Sequence, residues 1–336
     1  MTKMNRQFRL AKRPAGMVSA SDFSRAESPV EAPGDGEALV QTRFLSLDPA
    51  MRGWMNEGKS YVPPVGIGEV MRAGGIGEVL ESSDAALQPG DTVVGMLGVQ
   101  TLGTHKSNSL RKVDPALATL PKYLGVLGMP GMTAYFGLLD VGQPKAGDTV
   151  VVSGAAGAVG QLVGQIAKLK GCRVVGIAGG AKKCEFARKE LGFDECLDHR
   201  AGDLRAELKR ACPDGIDVYF DNVGGEILDL VLARLKMKAR VVICGAISQY
   251  NNAGPMKGPA NYMSLLVNRA RMEGFVVFDY AKRYGEAVHD LAQWMKDGKL
   301  QSREHVVSGF DRFPEALLML FSGANHGKLV LDVEPQ

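Results

Sequence analysis

Apolar and polar positions alternate over short distances in roughly the first 120 residues, and long amphipathic stretches are scarce there. Ala38-Leu39-Val40-Gln41-Thr42 and Gly77-Glu78-Val79-Leu80 carry the β-branched, half-polar mixture of strands. Pro89-Gly90-Asp91 is a turn feeding another strand at Thr92-Val93-Val94. The pattern predicts a β-rich, barrel-like unit. After Pro130 the period changes. A helix is expected over Met132–Leu139, then a buried strand at Thr149–Val152, and from there strands and helices alternate. The predicted strands are Arg173–Ala178, Glu195–Asp198, Asp217–Asp221, Arg240–Cys244 and Glu273–Phe278. The predicted helices are Val159–Lys170, Lys182–Leu191, Asp203–Ala211, Glu226–Lys236 and Ala281–Asp297. Such alternation predicts an α/β fold, a doubly wound parallel sheet covered by helices on both faces. The last 40 or so residues return to β character at His305-Val306-Val307 and Lys328–Val333. Residues 1–125 and 298–336 are therefore expected to form one discontinuous domain, and residues 126–297 a second.

Composition narrows the function classes. Lys and Arg number 40 against 37 Asp and Glu, a net charge of +3, too balanced to predict nucleic acid or an anionic membrane as partner. The basic N-terminus lacks an apolar stretch of secretory length. The longest apolar segment, Thr149 to Ala167, is interrupted by Gln161, Gln165 and glycines. A soluble, cytoplasmic protein is expected. Five cysteines (Cys172, Cys184, Cys196, Cys212, Cys244) form no C-x-x-C pair, so neither a disulfide framework nor a zinc site is predicted. Glycine is in excess, 42 of 336 residues, against an ordinary ~7%.

Part of that glycine marks a ligand site. The strand Val150-Val151-Val152 runs through Ser153-Gly154 into Ala155-Ala156-Gly157-Ala158-Val159-Gly160, and a helix follows at once. Small residues let backbone approach a pyrophosphate, and the helix start offers N–H groups and a positive dipole end. Ala156 stands where a strict G-x-G-x-x-G has glycine. At the end of the next strand an NAD site wants a carboxylate for the ribose 2′-hydroxyl. This chain has Ala178-Gly179-Gly180-Ala181-Lys182-Lys183 and no acid before Glu185, which suits the 2′-phosphate of NADPH, although two lysines at a solvated helix start fit the same residues.

Ligands of open α/β sheets lie outside the carboxyl ends of the strands. Asn222, in Asp221-Asn222-Val223-Gly224-Gly225, has the chemistry to bind a ribose or amide, or simply to support a glycine-rich turn. In Cys244-Gly245-Ala246-Ile247-Ser248-Gln249-Tyr250, Gly245 and Ala246 leave space for a nicotinamide ring. The Tyr250 phenol is suited to stabilising an oxyanion, or to ordinary surface packing. No Tyr-x-x-x-Lys pair, G-x-S-x-G elbow or G-x-x-x-x-G-K-[ST] loop occurs, so the chemistry is expected to rest on the cofactor's hydride.

Taken together, Leu47-Asp48-Pro49-Ala50-Met51-Arg52, Gly128-Met129-Pro130-Gly131-Met132-Thr133-Ala134-Tyr135, the AAGAVG turn, Phe220–Gly225, Cys244–Asn251, Asn268–Phe275 and Asn325-His326-Gly327-Lys328 form a recognisable set. The chain resembles the zinc-independent medium-chain dehydrogenase/reductases, and within them the NADPH-dependent 2-alkenal, prostaglandin/leukotriene and bacterial curcumin reductases. The resemblance implies a GroES-like catalytic domain, a Rossmann domain and a homodimer built through the Rossmann sheets. It also implies that Gly157, Ala158, Val159 and Gly160 hold the pyrophosphate, and Lys183 with Gly179 the 2′-phosphate end. Asn222, the loop Cys244, Gly245, Ala246, Ile247, Ser248, Tyr250, the run Phe275, Val276, Val277, and Asn325 would line the rest of the cofactor.

Arg52, Tyr61, Met132 and Tyr262 are candidates for the substrate side. Two departures stand out: His199 occupies a position where the animal relatives usually have tyrosine, and Ala50 one where they often have an aromatic. A histidine there adds pH dependence near its ordinary value of ~6.5. The expected activity is reduction of the C=C bond of an α,β-unsaturated ketone or aldehyde by hydride transfer to the β-carbon, with Tyr250 aiding the enolate. Alternatives are an NADPH:quinone reductase and a non-catalytic NADPH-binding protein.

Overall fold

The computed structural model describes residues 3–333. The chain divides into two compact units. One takes the described residues up to Leu124, with Glu304–Asn325 and those from Leu329 on; the other takes Gly125–Arg303 with His326–Lys328.

The first unit begins with β1 (Met4–Leu10) and β2 (Phe23–Pro29), an antiparallel pair with Leu10 opposite Phe23. The apolar pattern conceals β1, because two of its inward positions are polar. Asn5 and Gln7 are buried, and Asn5 uses its amide to bind Gln100 Oε1 and the Leu102 N–H at 2.9 and 3.1 Å. Next come β3 (Glu37–Ser46), the short helix α1 (Ala50–Trp54), β4 (Gly75–Ser82), β5 (Thr92–Gly95), β6 (Leu102–Lys106) and β7 (Arg111–Lys112). The strands expected at residues 38–42, 77–80 and 92–94 lie within β3, β4 and β5. Gly77 is required where β3 and β4 meet, since a Cβ there would come within 2.3 Å of the Gln41 carbonyl oxygen.

The second unit opens with α2 (Met129–Phe136), which carries Pro130 in its first turn and widens into a π-type turn at Gly137–Gly142. Its alternating run is β8 (Thr149–Ser153), α3 (Gly160–Leu169), β9 (Arg173–Ala178), α4 (Ala181–Lys189), β10 (Glu195–Asp198), α5 (Leu204–Ala211), β11 (Ile216–Asp221), α6 (Gly225–Leu232), β12 (Leu235–Ile243), α7 (Met263–Val267), β13 (Arg271–Gly274) and α8 (Tyr284–Lys296). The strands form one parallel sheet in the order β10-β9-β8-β11-β12-β13. The order reverses direction between β8 and β11, which puts a topological switch point at their carboxyl ends.

Several boundaries differ from the sequence expectation, among them the strand expected from Arg240, which already begins at Leu235, and the helix expected over Met132–Leu139, which spans Met129–Phe136. The helix predicted to reach Lys236 stops at Leu232, and Leu235 is already in β12, its side chain buried in the sheet core. The final strand spans Arg271–Gly274 instead of Glu273–Phe278, because Phe275 leaves the strand and Val277–Arg283 coils into 3-10 turns. The helix expected from Ala281 consequently begins at Tyr284.

The tail supplies β14 (Glu304–Ser308), α9 (Phe313–Ser322) and β15 (Lys328–Asp332). β15 pairs with β3, giving a sheet ordered β14-β15-β3-β4-β5-β7, with β6 also on β3. α9 interrupts the β character expected of this stretch. Pro314 lies in its first turn, and Gly323 at φ 70° ends it. Phe313 packs its ring 5.2 Å from Phe8 and 5.0 Å from Phe23, closing the apolar core of the first unit. The two units are the GroES-like β-rich unit and the Rossmann-type doubly wound sheet. Among the described residues no helix is long and apolar enough to cross a membrane.

Candidate active site

The switch point is built from the turns that leave β8, β9, β11 and β12. After β8 the chain turns at Gly154 (φ +62°), and Gly157 donates its N–H back to the Gly154 carbonyl at 2.9 Å. A Cβ on Gly160 would lie 2.2 Å from that same carbonyl oxygen, so only glycine lets α3 start this close to the strand. Ala156 is buried, and its carbonyl accepts the Gly327 N–H at 3.0 Å. Val159 offers no side-chain cap to α3. The result is a short backbone cradle at a helix start, the geometry that receives a pyrophosphate.

One strand over, β9 ends in Ala178-Gly179-Gly180 with no carboxylate of its own. The nearest acid, Asp198 at the end of β10, spends Oδ1 on the backbone N–H groups of Gly180 and Arg200, at 2.8 and 2.9 Å. Gly179 is overhung by two bases. A Cβ there would come within 2.9 Å of Arg200 Nε and 3.0 Å of His199 Nε2. Lys183 joins them from the first turn of α4, and its pKa is lowered by burial and by the charge of Arg200. His199 is likewise lowered, first by burial, then by Arg200 and to a lesser degree Lys183, against the opposing pull of Asp198. Three bases and one engaged carboxylate give the end of β9 a cationic character, the chemistry that attracts an anion. The motif alone does not point to Arg200; its signal is its place two residues past the end of β10.

At the switch point Ser153 and Asp221 tie β8 to β11. The Ser153 hydroxyl donates to Asp221 Oδ1 at 2.9 Å and accepts the Asn222 N–H at 2.9 Å. The same Oδ1 accepts the Tyr219 hydroxyl and the N–H groups of Val223 and Gly224 at 2.7, 3.0 and 2.9 Å. The Asn222 side-chain amide donates to the Ser153 carbonyl at 2.7 Å, so this residue is engaged in the turn itself. The loop after β12 rests on that turn: Cys244 and Gly245 donate to the Asp221 carbonyl, Ile247 to that of Asn222, and Ser248 to that of Val223. Gly224 (φ +68°) is the contact point, where a Cβ would lie 3.0 Å from that of Ala246. Cys244 is half-buried, and desolvation with the nearby Asp221 carboxylate pushes its thiol up to about 12.

The other predicted residues divide. Tyr250 folds back over its loop, its hydroxyl accepting the Ala246 N–H at 3.1 Å. Phe275 sets its ring against Gly137 and edge-on to Phe220 at 6.4 Å, and Val277 is buried. Asn325 lies two residues before Gly327, whose backbone bridges Gly157. On the substrate side, Tyr61 of the first unit and Tyr262 of the second are 54% and 58% exposed, whereas Met132 is buried in α2. Arg52 is turned inward, donating to the carbonyls of Pro14 and Gly16. That arrangement speaks for holding the 14–16 loop instead of meeting a substrate.

Comparison with known proteins places the whole chain. The description "N-terminal domain of oxidoreductase" matches residues 6–113, and "zinc-binding dehydrogenase" matches residues 158–294. Among the described residues no three His, Cys, Asp or Glu side chains gather into a set able to hold a metal ion, so they do not fit the zinc of the second description. The NADPH-dependent curcumin reductase of Escherichia coli is 46% identical over 98% of this chain and 97% of that protein. The NADP-dependent 2-alkenal reductase of Nicotiana tabacum is 45% identical over 89% of this chain and 88% of its own length. The crystal structure of CurA in complex with NADPH from Vibrio vulnificus superposes with a TM-score of 0.94 at 46% identity, covering 98% of this chain and all of that one.

Proposed function

The chain belongs to the medium-chain dehydrogenase/reductase family, in the branch of the curcumin and 2-alkenal reductases; from that premise we propose that it reduces the C=C bond of α,β-unsaturated ketones and aldehydes with NADPH. The observation that carries the reading is the end of β9, where His199 and Arg200 overhang Gly179, Lys183 stands in the adjoining first turn of α4, and the strand end itself carries no carboxylate. Bound NADPH would supply the hydride for the β-carbon of the enone. The protein's part is positional and electrostatic. Gly157–Gly160 would hold the pyrophosphate, and the small residues Gly245 and Ala246 would leave room for the nicotinamide end. Tyr250 donates a hydrogen bond to the oxygen on which enolate charge grows, which lowers the barrier only as that charge appears.

Residues 1–125 with 298–336, and 126–297, act in this reading as catalytic and nucleotide-binding domains. The working form is a cytoplasmic homodimer. Its support is β13, an edge strand whose four residues are all exposed, flanked by the exposed apolar residues Leu266 and Val267 of α7. An open, partly apolar edge is a template for pairing with a second copy.

The test is cofactor oxidation over a panel of enones, enals and simple quinones, with NADPH and NADH, in the presence and absence of a chelator. Rapid, chelator-insensitive NADPH oxidation with enones and enals is the expected result. Reduction of quinones alone, or no turnover with any acceptor, would overturn it.

A further inference from the structure

His199 and Arg200 close over Gly179 from one side while Lys183 approaches from α4, and these cations differ in one property. Arginine and lysine keep their charge across the physiological range; the imidazole does not. The groups facing it are Arg200 and Lys183, which oppose its protonation, and Asp198, which favours it. Burial and the two cations prevail, so at neutral pH the ring in the free protein is chiefly neutral. The Asp198 carboxylate is anchored by two backbone N–H groups at 2.8 and 2.9 Å. A phosphate dianion delivered to Gly179 would place two negative charges among these bases and invert the balance.

We propose that His199 is a specificity determinant that recognises the 2′-phosphate of NADPH as the imidazolium, taking up a proton as the cofactor binds. The proposal rests on the reading of the β9 end as the 2′-phosphate site, and adds to it the protonation state of one residue. The ligand chemistry is a phosphomonoester on a ribose; a 2′-hydroxyl carries no charge to hold the proton and leaves His199 neutral.

The sign follows from linkage. Binding raises the His199 pKa above its free-state value, so affinity grows as pH falls through the interval between the two. One linked proton changes the dissociation constant by at most about tenfold per pH unit. The phosphate's own second ionisation lies near ~6 and works in the opposite sense below it, so the window to examine is above pH ~6.5.

The experiment is calorimetric titration of the intact protein with NADPH, and separately with NADH, between pH ~6.5 and ~8.5 in non-phosphate buffers of different ionisation heat, which counts protons taken up. Wild type, His199→Gln and His199→Lys are compared. Wild type is expected to take up a fraction of a proton with NADPH and to bind about three- to tenfold more weakly at the alkaline end. His199→Gln binds at the wild type's alkaline level throughout, and His199→Lys binds tightly; both have flat pH profiles and no histidine-linked uptake. The same uptake and slope in all three proteins would overturn the proposal while leaving NADPH selectivity standing. Equal affinity of wild type for NADPH and NADH at every pH would overturn both the proposal and the cofactor reading beneath it.

Discussion

The Tyr250 hydroxyl accepts a hydrogen bond from the Ala246 amide at 3.1 Å, which holds the phenol against the backbone of its own loop. A Cβ on Gly245 would come within 2.8 Å of that hydroxyl, so the tyrosine reaches this position only because glycine lies beneath it. Tyr250→Phe removes the oxygen and keeps the ring. Turnover of an enone is expected to fall by about 100- to 1,000-fold, as when one oxyanion donor is lost. NADPH affinity should stay within about fivefold, since the loss of one ordinary hydrogen bond amounts to about 1 kcal/mol. Single-turnover rates and a fluorescence titration separate the two; wild-type turnover would remove Tyr250 from the chemistry.

Gly160→Ala tests the phosphate cradle. Its Cβ would sit 2.2 Å from the Gly154 carbonyl, a clash with backbone that no side-chain rotation relieves. The turn must open, with an expected loss of about 1–3 kcal/mol of stability and a much larger relative loss of NADPH affinity. Gly53→Ala is the control: nothing lies within 4 Å of its Cβ, and it stands inside α1. Thermal melts should show that variant unchanged or slightly more stable.

How much of this was legible in the chain varied with the physics behind each element. The strand–glycine turn–helix at residues 150–170 was readable because buried strands are runs of β-branched residues and close backbone approach demands glycine. The absence of an acid at Ala178-Gly179-Gly180 was readable for the same reason, since it depends on local sequence alone. β1 was not readable, because Asn5 and Gln7 fill inward positions and are satisfied by residues 95 or more positions away or by β2. α9 was hidden because its partners, Phe8 and Phe23, lie about 300 residues earlier in the chain. The inward turn of Arg52 was not readable for a related reason: its guanidinium is held by carbonyls from a loop 36 and 38 residues away. Arg200 was missed because no pattern at β9 points to the end of β10; only the parallel pairing of those strands brings it over Gly179.

A protein that handles Michael acceptors benefits from keeping its own thiols unreactive. Burial pushes Cys172 and Cys212 up to about 11 and Cys244 up to about 12. At pH ~8 only about one in a thousand of such thiols is ionised, and the thiolate is the nucleophile. Native protein exposed to an enal or a maleimide should label at these three positions only slowly, and all five cysteines should label after unfolding. The same shifts have a stability consequence. Their contribution is fully present below the unfolded thiol value of ~8.5 and is lost as pH rises from there through the folded values, so denaturant midpoints should decline above that pH.

The edge of β13 yields a prediction on assembly. Met272→Pro removes an N–H from a strand that already lies at the sheet border, so the fold loses little. Sedimentation should find the wild type at about twice the monomer mass and the variant shifted toward monomer. A monomeric wild type at micromolar concentration would set the dimer reading aside.

NADPH deuterated at the transferring position of its nicotinamide reports directly which carbon receives the hydride. With a simple enone as acceptor, the account predicts a saturated ketone carrying deuterium on the β-carbon. Deuterium on the carbonyl carbon of an allylic alcohol would contradict it.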